Sequence, residues 1–131
     1  FKSHITLTTI AVLTVSASRT GYKNRKPVLQ GAVKEYVYSL IRETMENENI
    51  IIREMNGEPD HIHILFDYAP DIKLTELINK MKSRTARLAR RDYPAEVSEY
   101  YWKPVFWTNS YFLGSVGVNT AEIVEEYIKN Q

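Results

Sequence analysis

The sequence contains no cysteine and only three histidines, so few of its side chains are strong ligands for a transition metal. The absence of cysteine excludes disulfide bonds and thiolate metal sites, and it favours a reducing, cytoplasmic setting. The formal net charge is only +1, so the overall charge points to no class of partner. A chain of 131 residues is long enough for one well-packed domain and short for two, and we expect a single domain over residues 1–131.

A membrane-spanning segment is also lacking. The apolar stretch Ile5–Ala17 is too short and too rich in threonine to cross a bilayer. Its many β-branched residues favour a long strand instead. We therefore expect no membrane partner for this chain.

The apolar pattern predicts elements in the order β-α-β-β-α-β-α. In the first half we expect a strand from His4 to about Ser16, a helix from Val28 to about Asn47, and strands at Asn49–Met55 and His61–Phe66 joined by a turn at Asn56–Asp60. In the second half we expect a helix opening at Pro70 and Asp71, irregular chain at Arg91–Pro104 and a strand at Val105–Val116. A last helix is expected to be capped by Asn119, with Glu122 in a capping box. This is the α+β, ferredoxin-like βαββαβ order with an added C-terminal helix. Helices on one face of the antiparallel sheet would leave the other face or an edge for a substrate or a second subunit.

Two histidines stand close together in PDHIHILFDY, which is Pro59–Tyr68. Residues two apart on a strand point to the same face, so His61 and His63 would present adjacent imidazoles. Such a pair can form half of a divalent-metal site, or it can be two ordinary surface histidines. Asp60 could orient the imidazole of His61, but a role in the hairpin turn is the preferred interpretation.

The last helix carries a second pair of candidate residues. Tyr127 and Gln131 are four residues apart and share one helix face. The amide oxygen of Gln131 can coordinate a hard cation, and the phenol of Tyr127 can act as a nucleophile if its target is activated. The alternative is that Tyr127 packs with Ile123, Val124 and Ile128 on an ordinary amphipathic face.

Taken together these motifs resemble the single-tyrosine HUH transposases of the insertion-sequence 200/605 family. The resemblance runs from about Tyr22 to Gln131 and rests on three stretches that occur in the expected order. They are the H-I-H pair, SYFLGSVG at Ser110–Gly117 and YIKNQ at Tyr127–Gln131.

The resemblance implies an enzyme, a DNA transposase and HUH endonuclease that cleaves and rejoins single-stranded DNA at the hairpin ends of an insertion sequence. His61 and His63 match the metal ligands, Gln131 matches the third ligand, and Tyr127 matches the nucleophile that forms a 5′-phosphotyrosine link. The implied cofactor is Mg²⁺ or Mn²⁺. The implied assembly is a homodimer in which the tyrosine helix of one subunit is able to complete the site of the other, with Gly117 as the hinge; docking of the helix in cis or in trans stays open. When bound to DNA, the protein would be associated with the nucleoid of a prokaryotic cell.

Basic residues cluster in two short windows, the loop at residues 19–26 and the helix at residues 80–91. Such clusters attract phosphate, although a basic helix face is often only a solvated surface. The candidates for DNA binding are Arg25, Lys26, Lys80, Lys82, Arg84 and Arg87.

Three other functions remain open at this point. One is a single-stranded nucleic-acid-binding module without catalysis, although no strand has the RNA-recognition pattern of basic, glycine and aromatic residues. Another is a different HUH nuclease, such as a replication initiator or a domesticated relative. The third is a metal-dependent phosphoesterase that acts on small molecules.

Overall fold

The computed structural model describes residues 8–19 and 25–131. In chain order the elements are β1 (Thr9–Ser16), α1 (Gly31–Glu46), β2 (Ile51–Glu58), β3 (His61–Tyr68), α2 (Leu74–Asp92), α3 (Pro94–Ser98), β4 (Phe112–Ser115) and α4 (Val118–Lys129). This order confirms the predicted sequence of strands and long helices. The short α3 lies in the segment expected to be irregular, and it begins with Pro94, a residue suited to the first helical turn.

The four strands form one antiparallel sheet in the order β2-β3-β1-β4. The central pair is in register over its whole length, from Thr9 opposite Tyr68 to Ser16 opposite His61. The two longest pairings thus surround β3, which is held on both sides by hydrogen-bonded neighbours. The ferredoxin-like α+β fold is confirmed.

Alternation along the central strands sends two sets of side chains to opposite faces of the sheet. On one face, β1 and β3 contribute buried aliphatic and aromatic residues to a core that they share with α1 and α2. The helical period of α1 supplies Val33, Val37, Ile41 and Met45 to this core. On the other face, α4 packs over Ile10 and Leu65 through Ala121 and Ile128. The nucleophile-bearing helix of the prediction therefore lies across the sheet from α1 and α2.

The hairpin between β2 and β3 turns later than expected. The predicted turn at Asn56–Asp60 is wrong at its start, because β2 continues through Asn56 and Gly57 to Glu58. Gly57 is required here for close approach rather than for a turn. A Cβ atom on Gly57 would lie 2.1 Å from the carbonyl oxygen of His61 and 2.9 Å from Cα of Ile62.

This close approach predicts a clear difference between two glycine variants. Gly57→Ala should lower the free energy of unfolding by roughly 1–3 kcal/mol, because the β2–β3 backbone must move apart. Gly117→Ala is the matched control, since a Cβ there meets nothing within 4 Å. Its backbone has φ of −71°, which any residue adopts, so the effect should stay below about 1 kcal/mol. Urea unfolding measures both, and equal losses for the two variants would contradict the packing argument.

The predicted strand at Val105–Val116 is wrong over most of its length. Only Phe112–Ser115 form β4, while Trp107 makes a single bridge to Ala17. Phe106 and Trp107 are buried in the core from an irregular segment, and Trp107 Nε1 donates to Thr85 Oγ1 at 2.9 Å. The apolar character of this stretch therefore reflects core packing by a loop.

The helix starts also differ from prediction. Helix α2 begins at Leu74 rather than at Pro70 and Asp71. Helix α4 begins at Val118 with Gly117 as its N-cap and no side-chain cap, so the predicted Asn119 cap and its capping box are wrong. The predicted start of the first strand, at His4, lies outside the described residues. Among the helices described, none combines the length and the apolar character that a bilayer crossing needs.

Candidate metal and nucleophile site

The face of the sheet beneath α4 is divided into an apolar part and a polar part. Ile10, Leu65 and their neighbours form the apolar part, which α4 covers. Farther along the same two strands the side chains on this face become Thr14 and Ser16 on β1, opposite His63 and His61 on β3. A polar patch thus lies at one end of the two inner strands, in a sheet whose other face packs against α1 and α2.

The two imidazoles of the patch lie side by side, with ring centroids 4.8 Å apart. Each ring uses Nδ1 for a contact within the chain. Nδ1 of His61 lies 2.8 Å from Asp60 Oδ1, and Nδ1 of His63 lies 2.7 Å from Thr14 Oγ1. Nε2 is therefore the nitrogen that each ring has left for a ligand, as in other histidine metal sites in which the second nitrogen is held by a neighbouring oxygen.

Asp60 serves both of the roles considered from the sequence. It is in the two-residue turn between β2 and β3, while its carboxylate contacts His61. Its backbone carbonyl accepts from Ala17 N at 2.9 Å, which extends the pairing of β1 with β3. The other carboxylate oxygen lies 3.4 Å from Arg25 Nε, and Arg25 also donates to Ser16 Oγ at 2.8 Å. Arg25, one of the predicted DNA-binding residues, is thus tied to the histidine patch.

The environment of the patch keeps His63 neutral near pH 7. Burial lowers the pKa of His63, and the neighbouring His61 lowers it further. A neutral imidazole is the form that binds a metal ion. Within residues 8–19 and 25–131, no group of three His, Cys, Asp or Glu side chains is arranged to hold a metal, so a metal ion on the histidine pair would need oxygen donors of another kind.

Helix α4 brings Tyr127 to this patch. The helix begins beside β1, where Val116 N donates to Ile10 O at 2.8 Å. Its far end reaches β2, where Asn56 Nδ2 donates to the backbone carbonyls of Lys129 and Gln131 at 3.4 and 3.3 Å. Between these ends the ring of Tyr127 lies 5.9 Å from that of His63, centroid to centroid.

The side chain of Tyr127 is not part of the packed face of α4. It is 61% exposed, whereas Ala121 and Ile128 are buried. The structure therefore favours the interpretation of Tyr127 as an available phenol over that of a packing residue. Helix α4 ends at Lys129, so Gln131 lies beyond it and the predicted helix face shared with Tyr127 is wrong; Gln131 is half-buried.

The basic helix lies away from the patch. Helix α2 packs on the opposite face of the sheet, and several of its basic residues are engaged within the chain. Lys80 pairs with Glu48, Arg84 pairs with Glu43 and contacts Thr44, and Lys82 donates to the carbonyls of Thr108 and Asn109. Burial lowers the pKa of Lys82. Arg87 is exposed on the same helix, and Lys26 is half-buried near Arg25.

An open groove runs beside the patch from β1 to β4. It has a volume of about 490 Å³ and is bordered by hydroxyl groups and by two guanidinium groups. The lining residues are Thr14, Ser16, Arg19, Arg25, Thr108, Ser110, Tyr111 and Phe112. Such a surface offers hydrogen-bond donors and positive charge, which is the chemistry that a phosphate chain requires.

Sequence reasoning missed two contributors to the site, Thr14 and Asn56. Both are opposite His63 in the sheet, one on each side. The signal that would have found them is the register of β3 with its neighbours, which a single sequence does not specify. The local pattern instead places Asn56 in the predicted turn at Asn56–Asp60.

Comparisons with known proteins show which family the chain belongs to. A family model described as "Transposase IS200 like" matches residues 20–131. The transposase for insertion sequence element IS200 of Salmonella typhimurium is 28% identical over 109 residues, covering 83% of this chain and 70% of that protein. The ISDra2 transposase TnpA of Deinococcus radiodurans is also 28% identical over 109 residues, covering 83% of this chain and 77% of that protein.

Two solved structures share the fold. One is a crystal structure of a candidate transposase from Deinococcus radiodurans, with a TM-score of 0.73, 20% identity, and coverage of 100% of this chain and 95% of that one. The other is a REP-associated tyrosine transposase bound to a REP hairpin, with a TM-score of 0.67, 11% identity, and coverage of 98% and 69%. The family model spans well over half of the sequence. The chain therefore belongs to the IS200-like transposase family, and as a member of that family it is a DNA transposase.

Proposed function

We propose that this transposase cleaves and rejoins single-stranded DNA at the ends of an insertion sequence, with Tyr127 as the nucleophile. The observation that carries the proposal is the approach of the Tyr127 ring to within 5.9 Å of the His63 ring, centroid to centroid. These residues are far apart in the sequence, and no packing requirement explains an exposed phenol at this place. Hydroxyl groups and Arg25 beside the pair supply a surface suited to a phosphate chain.

The proposed reaction conserves the energy of the phosphodiester bond. The phenol oxygen of Tyr127 attacks phosphorus and loses its proton to solvent, and the bond between phosphorus and the 3′ oxygen breaks. The 3′ oxygen gains a proton and leaves as a free hydroxyl, while the 5′ phosphate stays on the tyrosine. Attack by a 3′ hydroxyl on this intermediate reverses the step and joins two strands without a nucleotide cofactor.

The donor set fits a divalent metal ion, Mg²⁺ or Mn²⁺. His61 and His63 each have Nε2 left for coordination, and the amide oxygen of Gln131, two residues beyond the end of α4, would be the third protein ligand. When bound, the metal supplies Lewis-acid polarisation of a phosphate oxygen and a template for the reacting groups. The residues of the chain hold the two rings, present the phenol and place Arg25 near the phosphate.

The proposed substrate is a single-stranded hairpin end, by analogy with the hairpin-bound relative. Direct contacts are proposed first for Arg25, and then for Lys26 and Arg87. For Lys80, Lys82 and Arg84, DNA binding stays a prediction that would need their present contacts to be exchanged. A homodimer also stays a prediction, and the exposed Ile123 beside Tyr127 on α4 is an apolar surface that a second subunit could cover.

A covalent-adduct assay tests the proposed function. The protein is incubated with a labelled single-stranded insertion-sequence end and Mn²⁺, and the products are separated under denaturing conditions. We expect a protein–DNA adduct whose linked peptide contains Tyr127. An adduct on another tyrosine, or cleavage without any adduct, would exclude the proposed mechanism.

The same assay separates the rival functions. A nucleic-acid-binding module would retain the DNA but form no adduct under any metal condition. A replication initiator or another HUH nuclease would form the adduct and nick the strand without joining two excised ends. Recovery of a joined product therefore distinguishes a transposase from other enzymes with the same site.

A further inference from the structure

A threonine on the strand next to the histidines makes the shortest contact in the candidate site. Oγ1 of Thr14 lies 2.7 Å from Nδ1 of His63. Thr14 and His63 are paired residues of β1 and β3, the two inner strands of the sheet. The contact is thus fixed by backbone pairing on both sides, and the branched side chain of threonine has few rotamers in which to move.

The direction of this hydrogen bond decides which nitrogen of His63 can bind a metal. If Nδ1–H donates to Thr14, Nε2 keeps its lone pair and can be a ligand. If the threonine hydroxyl donates to Nδ1, the proton of the neutral ring is on Nε2, which then cannot coordinate. A ring free of any partner would exchange between the two tautomers.

We propose that Thr14 is a positioning residue that accepts the Nδ1–H of His63 and so holds this ring in the tautomer with a free Nε2. The inference rests on the proposed metal-dependent function. It adds a residue that neither the family motifs nor the sequence pattern had marked. Thr14 acts on the metal through His63 and is not itself a ligand.

The two histidines are held by oxygens of different charge. His61 is held by the carboxylate of Asp60, whose charge is shared with Arg25. His63, whose ring is close to that of Tyr127, is held by a neutral hydroxyl. A carboxylate in place of Thr14 would orient the ring equally well, but it would put a negative charge beside the position where a DNA phosphate must approach. A hydroxyl orients the ring without that repulsion.

The test compares four proteins in the absence of DNA: the wild type, Thr14→Val, Thr14→Ser and Thr9→Val. Valine keeps the branched shape and removes the hydroxyl, whereas serine keeps the hydroxyl. Thr9 is the matched control, since it lies on the same strand with its side chain on the opposite face. Nitrogen NMR of the metal-free, histidine-labelled proteins reports the tautomer of His63, and calorimetric titration with Mn²⁺ reports the affinity.

We expect the Nδ1–H tautomer of His63 in the wild type, in Thr14→Ser and in Thr9→Val. In Thr14→Val the ring should populate both tautomers and also lose the contact that orients it, and together these losses should lower the affinity for Mn²⁺ about 10- to 100-fold. Thr14→Ser should stay within about threefold of the wild type. An Nε2–H tautomer in the wild type, or unchanged Mn²⁺ affinity in Thr14→Val, would overturn the proposal.

The readouts keep this proposal separate from the proposed function. The tautomer is measured without metal and without DNA, so it tests Thr14 even if the protein forms no adduct. Absence of Mn²⁺ binding by the wild type would count against the metal-dependent function, while the tautomer would still support or overturn the role of Thr14. If Thr14→Val fails to fold, Thr14→Ala takes its place: mixed tautomers of His63 in that variant support the proposal, and an unchanged Nδ1–H tautomer overturns it.

Discussion

Replacing Tyr127 with phenylalanine is expected to abolish strand cleavage, with a loss of at least about 10³-fold in the rate. The change removes the attacking oxygen and leaves the ring in place. Because the side chain is 61% exposed, the free energy of unfolding should change by no more than about 0.5 kcal/mol. Cleavage of a labelled hairpin substrate and urea unfolding measure the two effects on the same preparation.

A tyrosine elsewhere in the chain provides the matched control. The hydroxyl of Tyr36 on α1 donates to Asp92 at the end of α2, across the sheet from the histidine patch. Tyr36→Phe should therefore cleave at the wild-type rate. Cleavage by Tyr127→Phe at more than a small fraction of that rate would refute the role of Tyr127, whatever the behaviour of the control.

The second large effect is expected from the histidine pair. His61→Ala and His63→Ala should each lower the rate of cleavage at least about 10³-fold, because loss of a ligand removes several kcal/mol of transition-state stabilisation by the metal. Both rings are half-buried on β3, so their removal leaves unchanged the other face of the sheet, which packs against α1 and α2. Stability should fall far less than activity.

Removal and return of the metal provide an internal control for these variants. Chelation should abolish hairpin cleavage by the wild type, and added Mn²⁺ should restore the cleavage. The alanine variants should bind the labelled hairpin as the wild type does, but they should not cleave it when Mn²⁺ is returned. Full activity of the wild type in the presence of chelator would contradict a metal-dependent site.

The parts of the fold that the sequence predicts well are those with a regular apolar period. Val33, Val37 and Ile41 mark α1, and they are buried as expected. The pattern also predicts the strand that carries His61 and His63, because buried residues alternate with the two histidines and point to the opposite face of the sheet. Local pattern suffices when one face of an element is buried and the other is not.

The failures occur where one residue type serves two purposes. Gly57 follows an asparagine, as in a hairpin turn, yet its small size is used for contact with the His61 carbonyl inside the sheet. Phe106 and Trp107 are typical strand residues, yet they fill the core from a loop. In both cases the deciding partner is a distant backbone or side chain, which no local pattern reveals.

The candidate site likewise contains residues that the sequence predicts and residues that it does not. The motifs predicted the residues that would do the chemistry, His61, His63 and Tyr127, although their roles stay predictions until tested. The supporting contacts of Thr14, Asn56 and Arg25 depend on strand register and on a loop contact. A sequence read alone can therefore indicate the reacting groups before it can indicate what orients them.

The attachment of α4 has a consequence for local unfolding. The helix is held by a small apolar cluster around Ile10, Leu65, Ala121 and Ile128 and by two long hydrogen bonds from Asn56. The core between the sheet and the helices α1 and α2 is much larger. The segment that carries Tyr127 should therefore open as its own cooperative unit, at a lower free energy than the rest of the domain. Under the proposed mechanism, opening of this unit would carry a DNA end bound to Tyr127 away from the histidines while the sheet that holds them stays folded.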